Sequence, residues 1–404
     1  MIELPGPIPS LRELRRDFHV QALVNGLLGF IFSASGPLAI ILSVGTGAGM
    51  PAALIASWVL GCFGINGVLS LVLSWVYRKP LAFFWTIPGM VLMGEALTRL
   101  PFDEVIGAYL LTGALMLVLG LSGLIGRIMK AIPIAIVMAM VAGVFLKFGT
   151  DLIRHVQSDA WIAVPMILVF TTLTVFARIG RFIPPLIGSL LTGLLLISIF
   201  DAPNIALDQL HWLAHPVVTA PVLSLRACLE LVVPLAITVL VVQNGQGAAV
   251  LRAAGHEAPI NTIASACGLW SMMTAMVGSV STCLTGPTNA ILVSSGPKES
   301  HYIGGITVGL LAMLFGFFSA GFISLLMATP AAFIVVLGGL AMLKVLQTAF
   351  QSAFRAQFSF GALVCFLVTV SGIQIASIGA AFWGLLAGYI ASRLFEPADF
   401  QPTN

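Results

Sequence analysis

The sequence predicts an all-α membrane protein of fourteen transmembrane segments, built as two inverted repeats of seven. Three observations predict it. Of 404 residues, 59% are hydrophobic and 8% charged, too little polar surface to cover a water-soluble globule of this size, so lipid is the main solvent. Apolar stretches long enough to cross about 30 Å of hydrocarbon recur along the whole chain. Landmarks in the first half return in the same order in the second.

The elements follow in order. Residues 1–18 form a cytoplasmic N-terminal segment, where Arg12, Arg15 and Arg16 precede an apolar run too long for a signal-peptide core. Spans are expected near 19–44, 51–77, 104–126, 131–149, 160–178 and 183–200, with a short stretch at 81–97 broken by Pro88-Gly89. The second half gives 228–250, 260–279, 301–326, 329–348, 357–373 and 377–394, with a matching stretch at 280–296 broken by Gly286-Pro287. Residues 201–227 are an external loop and 395–404 a cytoplasmic tail. If every stretch crosses, all of the 18 Lys and Arg except Arg99, Lys147, Arg154 and Arg226 fall on the cytoplasmic side. Removing either broken stretch spoils that asymmetry.

The repeat is read from spacing. Pro51 to Ser57 (PAALIAS) and Pro259 to Ser265 (PINTIAS) open two spans 208 residues apart, while Pro133, Lys147 and Gly89 return as Pro330, Lys344 and Gly286 at an offset of 197. Phe200-Asp201 and Phe395-Glu396 close the halves. Seven spans per half is odd, so the second copy enters from the opposite face, the architecture of many secondary transporters.

The broken stretches are the expected binding device. Phe83, Phe84 and Trp85 favour an extended backbone, and the Pro-Gly pairs then open half-helices, with Thr86 and Thr285 as caps. In an inverted pair the half-helix N-termini, each partly positive, converge at mid-membrane and suit an anion. The expected substrate-binding set is Ser33, Ser35, Phe84, Trp85, Thr86, Gly89, Gln243, Asn244, Thr285, Gly286, Thr288 and Asn289. Gln243 and Asn244 are amides deep in an apolar span, where they need partners. Ser33 and Ser35 occupy the matching depth of the first span. Glu230 and Glu95 are the candidates for proton coupling, though Glu230 also lies four residues from Arg226.

Other signals point elsewhere. The cysteines (Cys62, Cys228, Cys267, Cys283, Cys365) are odd in number and never form CxxC, so they read as packing residues. His211 and His215 are four apart but lack a third ligand. Gly245-Gln246-Gly247 has no phosphate-binding continuation. Gly61, Gly64 and Gly67 suit close helix packing. No cofactor, metal, nucleic-acid partner or clustered catalytic group is expected, so the chain is not read as an enzyme.

Gln243-Asn244, Gly247, Ala253-Ala254-Gly255 and Ala258-Pro259 resemble the bacterial benzoate:proton symporter family. So do Ile132-Pro133, Ala142-Gly143, Phe148-Gly149, Ser371-Gly372, Ile378-Gly379 and Ala381-Phe382-Trp383-Gly384. The resemblance covers nearly the whole chain and implies proton-driven uptake of benzoate or a related aromatic acid across the inner membrane, with both termini cytoplasmic. The implied partners are a benzoate-like anion, protons and the bilayer; a homodimer is an open assembly state. The layout is also similar to the uracil permease and sulfate transporter folds. That likeness implies a core domain of 19–126 and 228–326 and a gate domain of 131–200 and 329–394. A nucleobase or inorganic-anion permease of the same fold is the alternative. Gln243 and Thr288 stand where the nucleobase carriers have acidic residues, which argues against nucleobases.

Overall fold

In lipid every backbone polar group must be satisfied internally, so apolar runs become helices. The computed structural model describes residues 2–127, 133–176, 183–200, 212–355, 357–375 and 378–401. Lys130, Ile132, Arg178, Arg181, Asp201 and His211, the loop as far as residue 211 and residues 402–404 lie outside them.

A short helix α1 (Leu11–Arg16) precedes α2 (Val20–Gly47) and α3 (Ala52–Tyr77). Strand β1 (Phe83–Trp85) runs into α4 (Ile87–Ala96), followed by α5 (Phe102–Ser122), α6 (Ile134–Ser158), α7 (Ala160–Val175) and α8 (Pro185–Phe200). Then come α9 (Leu225–Ala253), α10 (Ile260–Ala275), strand β2 (Thr282–Leu284) and α11 (Gly286–Leu292). The chain closes with α12 (His301–Phe317), α13 (Ser319–Met327), α14 (Ala331–Ala353), α15 (Ser359–Ser371) and α16 (Ala380–Phe395). Among the described residues, seven helices are long and apolar enough to cross a membrane, and α4, α7, α8, α15 and α16 are shorter apolar helices.

Prolines set many of the starts. Pro51, Pro101, Pro133, Pro259 and Pro330 each stand immediately before a helix, where an absent N–H costs nothing. Two expected boundaries need correction. The span expected at 131–149 continues as helix to Ser158, because Lys147, Asp151 and Arg154 pair along one face and carry the helix into the polar zone. The span expected at 301–326 is two helices, broken at Phe318. There the 212–222 segment supplies a partner: Ala214 donates its N–H to the Phe317 carbonyl at 2.8 Å, and Trp212 packs on Phe322. The same segment is held by Ser57, whose Oγ accepts from Val217, and by the Asp103 carbonyl, which accepts from Val222.

Helices α2, α3, α5, α10 and α12 pack around the two strand-helix units, with α10 on α5 and α12 on α3. Gly64 lies against Gly316 and Gly67 against Gly309, so the α3–α12 crossing is a close one. A second group joins α14 to α6, α15 to α16 and α8 to α7; it meets the first where α14 packs on α2 and α6 on α4.

The N-terminal segment is tied to this body. Arg78 at the end of α3 bridges Glu13 (3.0 Å) and Asp17 (2.9 Å), and Tyr302 donates to Asp17 at 3.2 Å. Beside this network the buried His256 meets His301 at 3.1 Å. Burial, aided by His301, Lys298 and Lys79, pushes the His256 imidazole from its ordinary 6.5 down to about 4. Below pH 6.5 the unfolded chain therefore takes up a proton that the folded chain refuses, and stability falls as pH drops toward 4. Denaturation profiles of purified protein should show a shallower acid limb for His256→Gln across that window; an unchanged slope would remove His256 as its cause.

Candidate functional site

The two broken stretches meet. β1 and β2 pair antiparallel, with Phe83 opposite Leu284, Phe84 opposite Cys283 and Trp85 opposite Thr282. The pairing continues one residue outward at each end: Thr86 donates to the Ser281 carbonyl and Thr285 to the Ala82 carbonyl, both at 3.0 Å. Because the strands are antiparallel, α4 and α11 leave in opposite directions. Their N-termini face one another across the ribbon, with the N-cap residues Thr86 and Thr285 four register positions apart, about 14 Å at about 3.4 Å per residue.

A two-stranded ribbon leaves two open edges, which in a dry interior must find partners. Side chains supply them. On the β1 edge, Ser70 Oγ accepts from Phe83 N–H at 2.8 Å and Ser74 Oγ from Leu81 N–H at 3.1 Å. On the β2 edge, Asn244 Oδ1 accepts from Leu284 N–H at 2.8 Å and Ser271 Oγ from Thr282 N–H at 2.9 Å. Asn289 closes the ribbon end, with Oδ1 accepting from Ala82 N–H at 3.1 Å and Nδ2 donating to the Thr285 carbonyl at 2.6 Å. A polar stripe at Asn66, Ser70 and Ser74, four residues apart on α3, was the sequence signal for this edge.

Beside the ribbon lies a cavity of about 340 Å³, a size suited to a small ligand. Its walls combine Phe32, Phe84, Trp85, Met138, Val141 and Val345 with the polar side chains of Ser33, Gln243, Gln246, Thr285, Thr288, Lys344 and Thr348. Gln243 ends a π-helical turn (Thr238–Gln243) in α9, is 9% exposed, and makes no side-chain hydrogen bond to another described residue. Thr288 and Ser33 hydroxyls meet at 2.9 Å, and Ser33 Oγ also lies 2.9 Å from the Gly29 carbonyl, which accepts from it. Trp85 is 2% exposed, packed at a tilt on Phe63 and edge-on to Phe84; its indole N–H has no partner among the described residues. The first turn of α11 has no side-chain cap, leaving the N–H groups of Gly286 and Thr288 uncapped beside it.

Of the expected set, Ser33, Phe84, Trp85, Gln243, Thr285 and Thr288 line this cavity. The others do not line it. Asn244 and Asn289 are occupied by the ribbon, as described. Thr86 is spent as the cap of α4, accepting from Gly89 N–H at 3.3 Å, whereas Thr285, the other expected cap, makes no cap bond. Gly89 and Gly286 are close-approach positions: a Cβ would come within 2.8 Å of Leu235 at the first and 2.5 Å of Gln246 at the second. Ser35 faces a different, almost wholly apolar crevice of about 780 Å³ between α2, α8, α13 and α14. That crevice is larger but offers few polar groups to orient a ligand, so the site is placed at the smaller one. Gln246, Lys344 and Thr348 were missed from sequence.

The two carboxylates lie away from the cavity walls. Glu230, 5% exposed, pairs through Oε1 with Arg99, whose Nε lies at 3.1 Å, while Oε2 has no partner among the described residues. Arg99, on the loop after α4, is a partner of Glu230 that the spacing to Arg226 did not suggest. Glu95 sits half-buried at the end of α4, in the field of Arg99, Glu230 and Lys147.

Solved structures share this arrangement of elements. The transmembrane domain of the cyanobacterial bicarbonate transporter BicA matches with a TM-score of 0.59 at 14% identity, covering 95% of this chain and 97% of that one. The murine Slc26a9 anion transporter in its inward-facing state matches with a TM-score of 0.64 at 13% identity, covering 96% of this chain and 70% of that one. A mostly helical membrane protein with the fold of these transporters is therefore the class. Residues 16–394 match the family described as "Benzoate membrane transport protein", and the chain belongs to that family. It is a multi-pass membrane transporter rather than an enzyme. The "Benzoate membrane transport protein" of Acinetobacter baylyi is 28% identical over 388 residues, 94% of this chain and 96% of its own length. The "Inner membrane protein YdcO" of Escherichia coli is 29% identical over 371 residues, 91% of this chain and 93% of its own.

Proposed function

We propose that the chain is a proton-coupled carrier taking up benzoate or a related aromatic carboxylate by alternating access. The observation that carries this reading is the composition of the cavity. Aromatic and aliphatic walls suit a flat ring, while the free Gln243 amide, the Trp85 indole N–H and the uncapped N–H groups of α11 are donors for an acid group. Ser33, Thr285 and Thr288 complete the polar side of the site, and Phe84 the apolar side.

In this reading fourteen segments form two inverted repeats of seven, with the strand-helix units as the third segment of each. Core (19–126 and 228–326) and gate (131–200 and 329–394) move against one another, and the contact of α14 on α2 and α6 on α4 is the sliding surface. The bacterial inner membrane holds the protein with residues 1–18 and 395–404 in the cytoplasm and 201–227 outside. A homodimer is compatible with this layout. Glu230 and Glu95 are the residues proposed for the coupling proton; Arg99 bonds Glu230 and lies in the field of Glu95.

Labelled benzoate uptake into proteoliposomes under an inward proton gradient tests the reading. Saturable accumulation that collapses with a protonophore is expected, together with competition by other aromatic acids but not by bicarbonate or uracil. Absence of gradient-driven accumulation would sink proton coupling, and competition by bicarbonate would move the site to inorganic anions.

A further inference from the structure

We infer that Lys344 supplies the positive charge that pairs with the substrate carboxylate at the mouth of the cavity. The inference rests on the aromatic-carboxylate reading above and deepens it by naming a residue that fixes charge specificity.

Lys344 carries the formal charge among the cavity-lining residues; the other walls are neutral. Gln243 and the hydroxyls can orient a carboxylate, but an anion leaving water for an apolar chamber needs an opposite charge nearby. The ammonium is exposed, and its partner is the neutral Gln347 Oε1 at 2.8 Å. Among the described residues no carboxylate forms an ion pair with it.

Lys147 is the instructive contrast. It occupies the same place in α6 that Lys344 occupies in α14, fourteen residues after the proline that opens each helix. Lys147 is neutralised by Asp151, to which Arg154 also bonds, and lies outside the cavity wall. Two lysines at equivalent positions thus differ in both respects: the one on the cavity has no carboxylate partner among the described residues. A flexible four-carbon stem lets that ammonium follow a carboxylate between mouth and interior.

Binding of labelled benzoate to purified protein in nanodiscs tests this with wild type, Lys344→Gln, Lys344→Glu and Lys298→Gln at low and high potassium chloride. Lys344→Gln should weaken binding about 10-fold, the effect of losing one charge-assisted contact at a partly exposed site. Lys344→Glu should weaken it further, and Lys298→Gln, which removes a cation from the separate cleft beside His256, should match wild type. Added salt should weaken wild-type binding and leave Lys344→Gln nearly unaffected, a response that packing damage would not produce. Binding by Lys344→Gln within twofold of wild type, or with its salt dependence intact, would overturn the assignment. Wild type that fails to bind benzoate at all would instead overturn the substrate reading and the lysine's role with it.

Discussion

Gln243→Trp is expected to abolish benzoate binding while the protein still inserts and folds. The side chain lines a cavity of about 340 Å³, so an indole there occupies the space a ring acid needs. The smaller change Gln243→Leu keeps the volume and removes the amide; it should weaken binding about 10- to 100-fold, the usual effect of losing a hydrogen bond to a charged group. Neither change removes a partner from the protein, because the amide bonds no other described side chain or backbone group. Thermal unfolding in detergent should therefore stay close to wild type. Benzoate affinity retained in Gln243→Trp would take this residue out of the site.

Asn289→Leu should do the opposite. Its amide joins Ala82 to the end of the β2 unit, and the side chain is fully buried. Leucine strands the Ala82 N–H in an apolar interior, where an unsatisfied donor costs about 1–3 kcal/mol, and loosens the start of α11. A loss of about 2–4 kcal/mol in stability is expected, seen as a lower unfolding temperature. The fraction of protein that remains folded should bind benzoate with near-normal affinity. A stable Asn289→Leu protein that cannot bind would return Asn289 to the substrate site.

These two amides show what was legible in the sequence. That polar groups deep in apolar spans must have partners follows from the solvent alone, and it drew attention to Gln243 and Asn244, while Asn289 stood out by its place at the start of the second half-helix. Which partner each takes depends on direction. Residues two apart on a helix point about 200° away from each other, so Ser33 reaches the cavity and Ser35 the apolar crevice, though both lie at similar depth. The π-helical turn ending at Gln243 changes the phase of α9 at that point, leaving Gln243 on the cavity and Asn244 on the ribbon. Neighbouring residues on a regular helix already point about 100° apart, but the phase shift of the π-helical turn hides from sequence which of the two faces the cavity. The ribbon edges were only partly in view: the stripe of Asn66, Ser70 and Ser74 marks a polar face, but the need for Ser70, Ser74, Ser271 and Asn244 arises only once two distant strands pair.

The sequence by itself determined that this chain lives in lipid, where its helices begin, and where Pro88-Gly89 and Gly286-Pro287 turn an extended backbone into helix. Those features depend on local chemistry: apolar content, the missing proline N–H and the preferences of short segments. The tertiary structure alone decided which polar groups face the cavity, which close the ribbon, and that Lys344 lines the cavity with no carboxylate partner among the described residues. Those outcomes depend on rotation and pairing between segments some 200 residues apart, information that spacing along the chain does not carry.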